Sequence, residues 1–436
     1  MKPEDIAKLF RAIGAASLKY DIENSHSGNI AMKWLDEEGT PLIAITATGC
    51  QLGDLEIEQI CFPGLDKTTY GYYKASSETD IHAAILSIPG TYGSMHGHTK
   101  YATIETMDDR AKPLKEPLPP LRPIDSLGFY HLRKEVPVRW YRIPVGSREM
   151  VEYIPSDLRD HLATIVQGHG TFVKGHSVEH AFYNLCLVEN SGYILHLTRH
   201  LGIDVSRLQD RIYHSPERFF SKSPKPYVTE SNHRCDFKDE PDTVSNFLKT
   251  GRRIFESRLS PFHTGSISLR CVDTILYAPK ASMPEGLPSP LLELPLQPER
   301  GDDIELLTHK LIYQESALQC VIHTYVPEAE AMIHYIYPHE ELPRNRIVPI
   351  DGEGGFLYLV IPVLPPEVDS DTLIRNLVVY NIVIIQGGGV WSVGEQALSE
   401  VLHHPSSLKD ICFYRIWALA RGLDISKIEP EKSKSW

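Results

Sequence analysis

Apolar positions in the first twenty residues recur at helical spacing: Ile6, Leu9, Phe10 and Ile13 fall on one face and predict an amphipathic helix. The pattern then changes. Pro41 to Thr48 (PLIAITAT) is short, apolar and β-branched, ends at Gly49, and predicts a strand. Ala83 to Ile88 predicts a helix that hands over through Pro89-Gly90 to an extended segment around His96. Lys112 to Pro123 carries five prolines and predicts a loop or extended excursion, placed where it could cover a substrate. From Val173 to Tyr193 a helix is expected to open after Gly175 and close before Gly192, burying Ala181, Leu185 and Val188. Between Ser221 and Asp242 the composition turns polar, with Pro224, Pro226 and Pro241. The expected organisation is therefore a domain over 1–222, a linker over 223–242 and a second domain over 243–436.

Beyond that linker the pattern starts again. Val244, Phe247, Leu248 and Gly251 repeat the spacing of the first helix, and HTGSIS (263–268) parallels HSGNIA (26–31). Glu78, His82 and His96 stand 4 and 14 residues apart, as do Glu305, His309 and His323. IVQGHGTFVKG (165–175) aligns without gaps against IIQGGGVWSVG (384–394). Three matches in the same order point to an internal duplication.

Bulk properties narrow the function class. Among 436 residues the net charge is −13, with no basic tract interleaved with aromatics, which argues against nucleic acid as partner. Small anionic or neutral metabolites fit better. Seven scattered cysteines without a CxxC pair speak against a disulfide framework and a structural zinc knuckle, and a reducing cytoplasm is the expected setting. The opening MKPEDIAKLFRAIGAA has no uninterrupted apolar core of a signal peptide, and no stretch approaches the roughly 20 apolar residues of a membrane span, so no membrane association is expected.

Candidate chemistry concentrates in the first half. His96 and His98 flank one glycine on an extended segment, so both imidazoles can project to one side and reach one ion. His169 lies between glycines at the end of an apolar stretch, and Glu78 in Ser76-Ser77-Glu78 precedes a helical run. In the second half the partner of His98 is Tyr325 and that of His169 is Gly388, leaving Glu305 and His323. One imidazole and one carboxylate hold a catalytic zinc poorly, so the second copy is expected to be a degenerate partner that walls or completes the first.

Ser27-Gly28-Asn29, Ile45-Thr46-Ala47-Thr48-Gly49, Ser76-Ser77-Glu78, His96-Gly97-His98 and His169-Gly170 together resemble the ordered motifs of the class II aldolase/adducin-like family. The resemblance implies a three-layer α/β/α fold with a largely antiparallel central sheet, duplicated in tandem. It implies His96, His98 and His169 as ligands of a divalent metal, foremost zinc with manganese or iron as alternatives. Glu78 would be the acid/base residue, and Asn29, Thr48, Gly49, Ser76 and Ser77 would cradle a substrate phosphate. The implied activity is a metal-dependent lyase that cleaves a small phosphorylated hydroxy-ketone or sugar through a metal-stabilised enediolate. Dehydration, decarboxylation, epimerisation and a non-catalytic adducin-like module are the alternatives. Glutamate at position 78, where the family's epimerases carry aspartate, favours cleavage. The resemblance also implies a homo-oligomer, with a dimer of tandem chains mimicking a fourfold assembly.

Overall fold

The computed structural model describes the chain except residues 1, 25, 36–37, 64–72, 109–116, 222–240, 288, 337–344 and 431–436. The first half runs α1 (Pro3–Lys19), β1 (Asn29–Leu35), β2 (Pro41–Thr46), β3 (Ile60–Cys61), α2 (Thr79–Leu86), β4 (Gly93–Gly97), α3 (Lys100–Thr106), β5 (Leu118–Leu121), α4 (Ser126–His131), β6 (Val136–Arg139), α5 (Arg148–Asp160), β7 (Ala163–Val166), β8 (Gly170–Gly175), α6 (Val178–His200) and α7 (Val205–His214). The second half runs α8 (Pro241–Glu256), β9 (Ser266–Arg270), β10 (Thr274–Ala278), β11 (Leu292–Pro295), α9 (Ile304–Gln314), β12 (Cys320–Thr324), α10 (Pro327–Ile336), β13 (Arg346–Ile347), α11 (Gly352–Leu357), β14 (Ile361–Leu364), α12 (Ser370–Tyr380), β15 (Ile382–Ile385), β16 (Gly389–Gly394) and α13 (Leu398–Ala420). The linker expected over 223–242 lies outside the described residues as far as residue 240.

Each half builds one eight-stranded sheet, in the orders β3-β2-β1-β4-β8-β7-β6-β5 and β11-β10-β9-β12-β16-β15-β14-β13. These are the same order, strand for strand. Every neighbouring pair is antiparallel except β6–β7 and β14–β15. Register repeats as well: His96 faces Phe172 across β4–β8, and His323 faces Trp391 across β12–β16. By spatial contacts the chain divides into two compact units. One is Met1–Pro123, Leu127–Tyr193 and Glu285–Leu287; the other is Ile124–Ser126, Ile194–Pro284 and Pro288–Trp436.

Helices sandwich the sheets in three α/β/α layers. The central strands β4, β7 and β8 are buried along their whole length, so they read as near-continuous apolar or small-residue runs without alternation. On one face of the first sheet, Ile81 and Ile85 of α2 and Met150, Ile154 and Leu158 of α5 close over Val166 and Phe172. In the second sheet, Leu306 and Tyr313 of α9 and Leu373 and Leu377 of α12 close over Val321, Val383 and Trp391. Burying such side chains contributes roughly 1.5–3 kcal/mol apiece and fixes the helices on which the site depends.

The proline-rich excursion takes the extended form, one of the two expected, where it is described: Leu118–Leu121 pairs with β6 as the sheet's edge strand, the position where proline removes no needed ladder bond. Its residues 112–116 lie outside the described residues. The helix expected to close before Gly192 begins at Val178 and continues to His200. Gly192 is there for contact, because a Cβ at that position would collide with the Ala102 backbone of α3.

Candidate metal centre

Three chain segments meet at one end of the central strands. His96 lies on β4 and is 1% exposed, and His98 follows immediately after the strand ends at Gly97. Because β4 pairs with β8 through Gly97 and Thr171, the β7–β8 turn that carries His169 sits beside that strand end. One ring nitrogen of each of His96, His98 and His169 lies within 4.8 Å of the other two. Residues far apart in the sequence are thus brought together in space.

Their hydrogen bonding fits a cation. His96 Nδ1 donates to the Thr171 carbonyl over 3.2 Å, which fixes the tautomer and leaves a lone pair on Nε2. That Nε2 is buried and has no hydrogen-bond partner, and neither does the buried Nδ1 of His169. Two orphaned buried ring nitrogens in one cluster are costly unless something binds them. Protons are poor occupants here. Burial, then neighbouring His169 and His98, holds His96 far below its ordinary pKa; burial and His98 push His169 down to about 4. Burial lowers His98 as well. Neutral imidazoles are the form that ligates a metal, so the donor set fits a divalent ion.

Glu78 adjoins this cluster. Its Oε2 lies 3.9 Å from His96 Nε2, and its Oε1 is buried without a partner. Burial, opposed by the Asn29 hydrogen bond, raises its pKa to about 7, in the range suited to accepting and returning a proton. Asn29 Nδ2 donates to Glu78 Oε2 over 2.9 Å, while Asn29 Oδ1 accepts from His82 Nε2. His82, held neutral by burial with a pKa of about 3, accepts in turn from the Ser94 hydroxyl over 2.8 Å through Nδ1. The chain Ser94–His82–Asn29–Glu78 therefore holds the carboxylate from behind.

The second half preserves the supporting chain and closes the centre. Ser266, equivalent to Asn29 in strand register, touches both Glu305 and His309 Nε2, and His309 Nδ1 meets the Ser268 hydroxyl over 2.6 Å. The hydroxyl beside the histidine has changed strands: Ala31 faces Ser94 in the first sheet, whereas Ser268 faces Val321 in the second. His323 stacks on Trp391 at 4.2 Å as His96 stacks on Phe172 at 4.2 Å. Yet its Nε2 donates to the Gly388 carbonyl over 2.9 Å, and its Nδ1 meets Glu305 at 3.0 Å. Both nitrogens are engaged, and a backbone carbonyl stands in the turn that carries His169 in the first half.

The profile of the class II aldolase and adducin N-terminal domain family matches residues 4–196 and again 245–413. The chain belongs to this family. Its two matches coincide with the two sheets, so the chain is a tandem pair of class II aldolase domains. Methylthioribulose-1-phosphate dehydratase of Acidiphilium cryptum (strain JF-5) is 27% identical over 187 residues, 42% of this chain and 86% of that protein. Among solved structures, L-fuculose-1-phosphate aldolase from Thermus thermophilus is similar at 24% identity and a TM-score of 0.38, over 44% of this chain and 94% of that one. A sugar-phosphate aldolase from Thermotoga maritima is similar at 16% identity and a TM-score of 0.36, over 48% and 96%.

In this class II aldolase pair the remaining expected site residues lie on two adjoining segments. Thr48 N–H donates to the Lys74 carbonyl over 2.9 Å, and its hydroxyl donates to the Ala75 carbonyl over 2.8 Å. Thr48, Gly49 and Ser77 are exposed, whereas Ser76 is buried and its Oγ accepts from the Glu78 N–H over 3.2 Å. Asn29 belongs to the Glu78 support, with both ends of its amide engaged. Sequence reading missed two carboxylates. Glu23 accepts from the His98 N–H over 3.2 Å, and Glu189 of α6 accepts from the first N–H groups of α3, those of Lys100, Tyr101 and Ala102, at 3.0–3.1 Å. Only the acid that follows the apolar run Leu185–Val188 in α6 could have flagged Glu189. Among the described residues, no helix is long and apolar enough to cross a membrane.

Proposed function

We propose that the first domain is a metal-dependent lyase of the aldolase type, acting on a small phosphorylated hydroxy-ketone or sugar, and that the second domain is its non-catalytic partner. The observation that carries this reading is the convergence of His96, His98 and His169, two of them with orphaned buried nitrogens, beside a carboxylate of raised pKa. A divalent ion held by the three imidazoles, zinc foremost, would supply Lewis acidity to a substrate carbonyl. Glu78 moves the proton: its Oε1 is free to receive one, and Asn29 with His82 holds the other oxygen in place. We assign Thr48, Gly49, Ser76 and Ser77 to the substrate phosphate. Exposed Gly49 and Ser77, beside the start of α2, would offer amide and hydroxyl donors without lysine. Thr48, both of whose donors bond to the carbonyls of Lys74 and Ala75, and buried Ser76 hold the two segments in place. Asn29, also a candidate for that cradle, is assigned first to Glu78. The acidic chain would meet its substrate in the cytoplasm, with a dimer of tandem chains as the working assembly.

Dehydration is the second reading, favoured by the dehydratase relative at 27% identity. One assay addresses both: the zinc-loaded full chain is incubated with phosphorylated ketoses and hydroxy-acids, and products are separated by mass. Carbon–carbon cleavage abolished by Glu78→Gln supports the aldolase reading. Loss of the mass of one water, abolished by Glu78→Gln, supports dehydration. Equal turnover by wild type and Glu78→Gln would overturn the assignment of Glu78.

A further inference from the structure

Glu23 lies in the polar stretch between α1 and β1, yet it is 3% exposed. Its Oε2 accepts from the Ser27 hydroxyl over 3.1 Å and from the His98 N–H over 3.2 Å. His98 has just left β4, whose ladder with β8 ends at Gly97, so its N–H no longer has a strand partner. Glu23 supplies the missing acceptor. The carboxylate occupies a notch that two glycines create: a Cβ on Gly28 would collide with Oε1, and one on Gly97 would come within 2.8 Å of it. Gly28 also turns at φ +78°, a conformation that admits glycine readily, and directly precedes Asn29. Burying a carboxylate is costly unless it is hydrogen-bonded; here Oε2 carries both bonds, while Oε1 is buried in the notch without a partner. Here one side chain ties the turn that delivers Asn29 to the strand end that delivers His98.

We propose that Glu23 is a positioning residue of the metal centre, fixing the backbone of His98 by accepting its N–H and clasping it to the Ser27–Asn29 turn. The inference rests on the metal-site reading, but concerns which residue outside the ligand set determines affinity. Groups that orient ligands usually contribute about 10–100-fold to metal affinity. Glu23→Gln keeps an acceptor oxygen in the same volume. Glu23→Met fills that volume without an acceptor, and Glu23→Asp retains the carboxylate one methylene short of His98.

The test is zinc affinity of the metal-free full chain by competition with a chromophoric chelator, with the visible spectrum of the cobalt-loaded chain as a report on ligand geometry. Glu23→Gln is expected to bind zinc within about threefold of wild type, and Glu23→Met and Glu23→Asp about tenfold or more weakly, with an altered cobalt spectrum. Val136→Ala, a cavity in β6, controls for general loss of stability and is expected to leave affinity unchanged. Wild-type affinity in Glu23→Met and Glu23→Asp would overturn the proposal. So would equal losses in Glu23→Gln and Glu23→Met, or an equal loss in Val136→Ala. If Glu23→Met does not fold, the comparison of Glu23→Asp with Glu23→Gln decides. Failure of wild type itself to take up zinc would instead overturn the metal-site reading.

Discussion

Asn29→Ala removes a side chain whose two ends hold two different buried groups. Glu78 loses its Nδ2–H donor at 2.9 Å, and His82 loses the acceptor for Nε2–H. Glu78 is 3% exposed and His82 0%, so neither can turn to water. An orphaned buried polar group costs about 1–3 kcal/mol, so two such groups together cost about 2–6 kcal/mol. For a domain of this size that corresponds to a fall in thermal midpoint of the order of 10 °C. Asn29→Ser installs the residue of the second half, where the Ser266 hydroxyl serves both Glu305 and His309. It is expected to recover about half of the loss, since one hydroxyl can replace both bonds only by drawing the partners inward. Calorimetry of the full chain in chelator, comparing wild type, Asn29→Ala and Asn29→Ser, provides the measurement. A loss below about 1 kcal/mol in Asn29→Ala, or no advantage of Asn29→Ser over Asn29→Ala, would refute the supporting chain.

Glu189→Ala orphans the first three N–H groups of α3 and is expected to lower stability by about 3 kcal/mol, with Glu189→Gln intermediate; equal midpoints for Ala and wild type in calorimetry would contradict this. Glu330 on α10 is 5% exposed, and burial raises its pKa to about 8 from 4.5. Its contribution to stability is full below pH 4.5 and lost as pH rises through about 8, up to roughly 5 kcal/mol. Glu330→Gln is therefore expected to raise the midpoint more at pH 8 than at pH 5, and an equal gain at both would contradict the sign.

Much of the site was legible because spacing survives folding. The 4 and 14 residue intervals recur because α2 and α9 set the same distance between a carboxylate, a histidine one turn later and the next strand. His96, His98, His169 and Glu78 could be named together only because the order of their motifs matches a family. What sequence could not supply was strand register. The exchange of Ala31 and Ser94 for Ser268 and Val321 has meaning only once those positions face each other. Gly192 misled because glycine commonly ends helices, and nothing local announces that α3 passes so close. Glu23 sits in ENSHSGN, where any reading of polarity predicts a solvated turn; its burial follows from the notch at Gly28 and Gly97, which lie far apart in the sequence.

The central claim is that the first half holds one divalent metal and the second holds none. Metal content of the full chain, purified without chelator and measured by mass spectrometry, tests it through three proteins. Wild type is expected to carry about one equivalent of zinc, or of manganese or iron, per chain, His169→Ala to lose it, and His323→Ala to retain it, since a three-histidine site binds firmly and a single imidazole bonded to Gly388 does not. Less than about 0.2 equivalents in wild type, about two equivalents, or loss of metal in His323→Ala would contradict it.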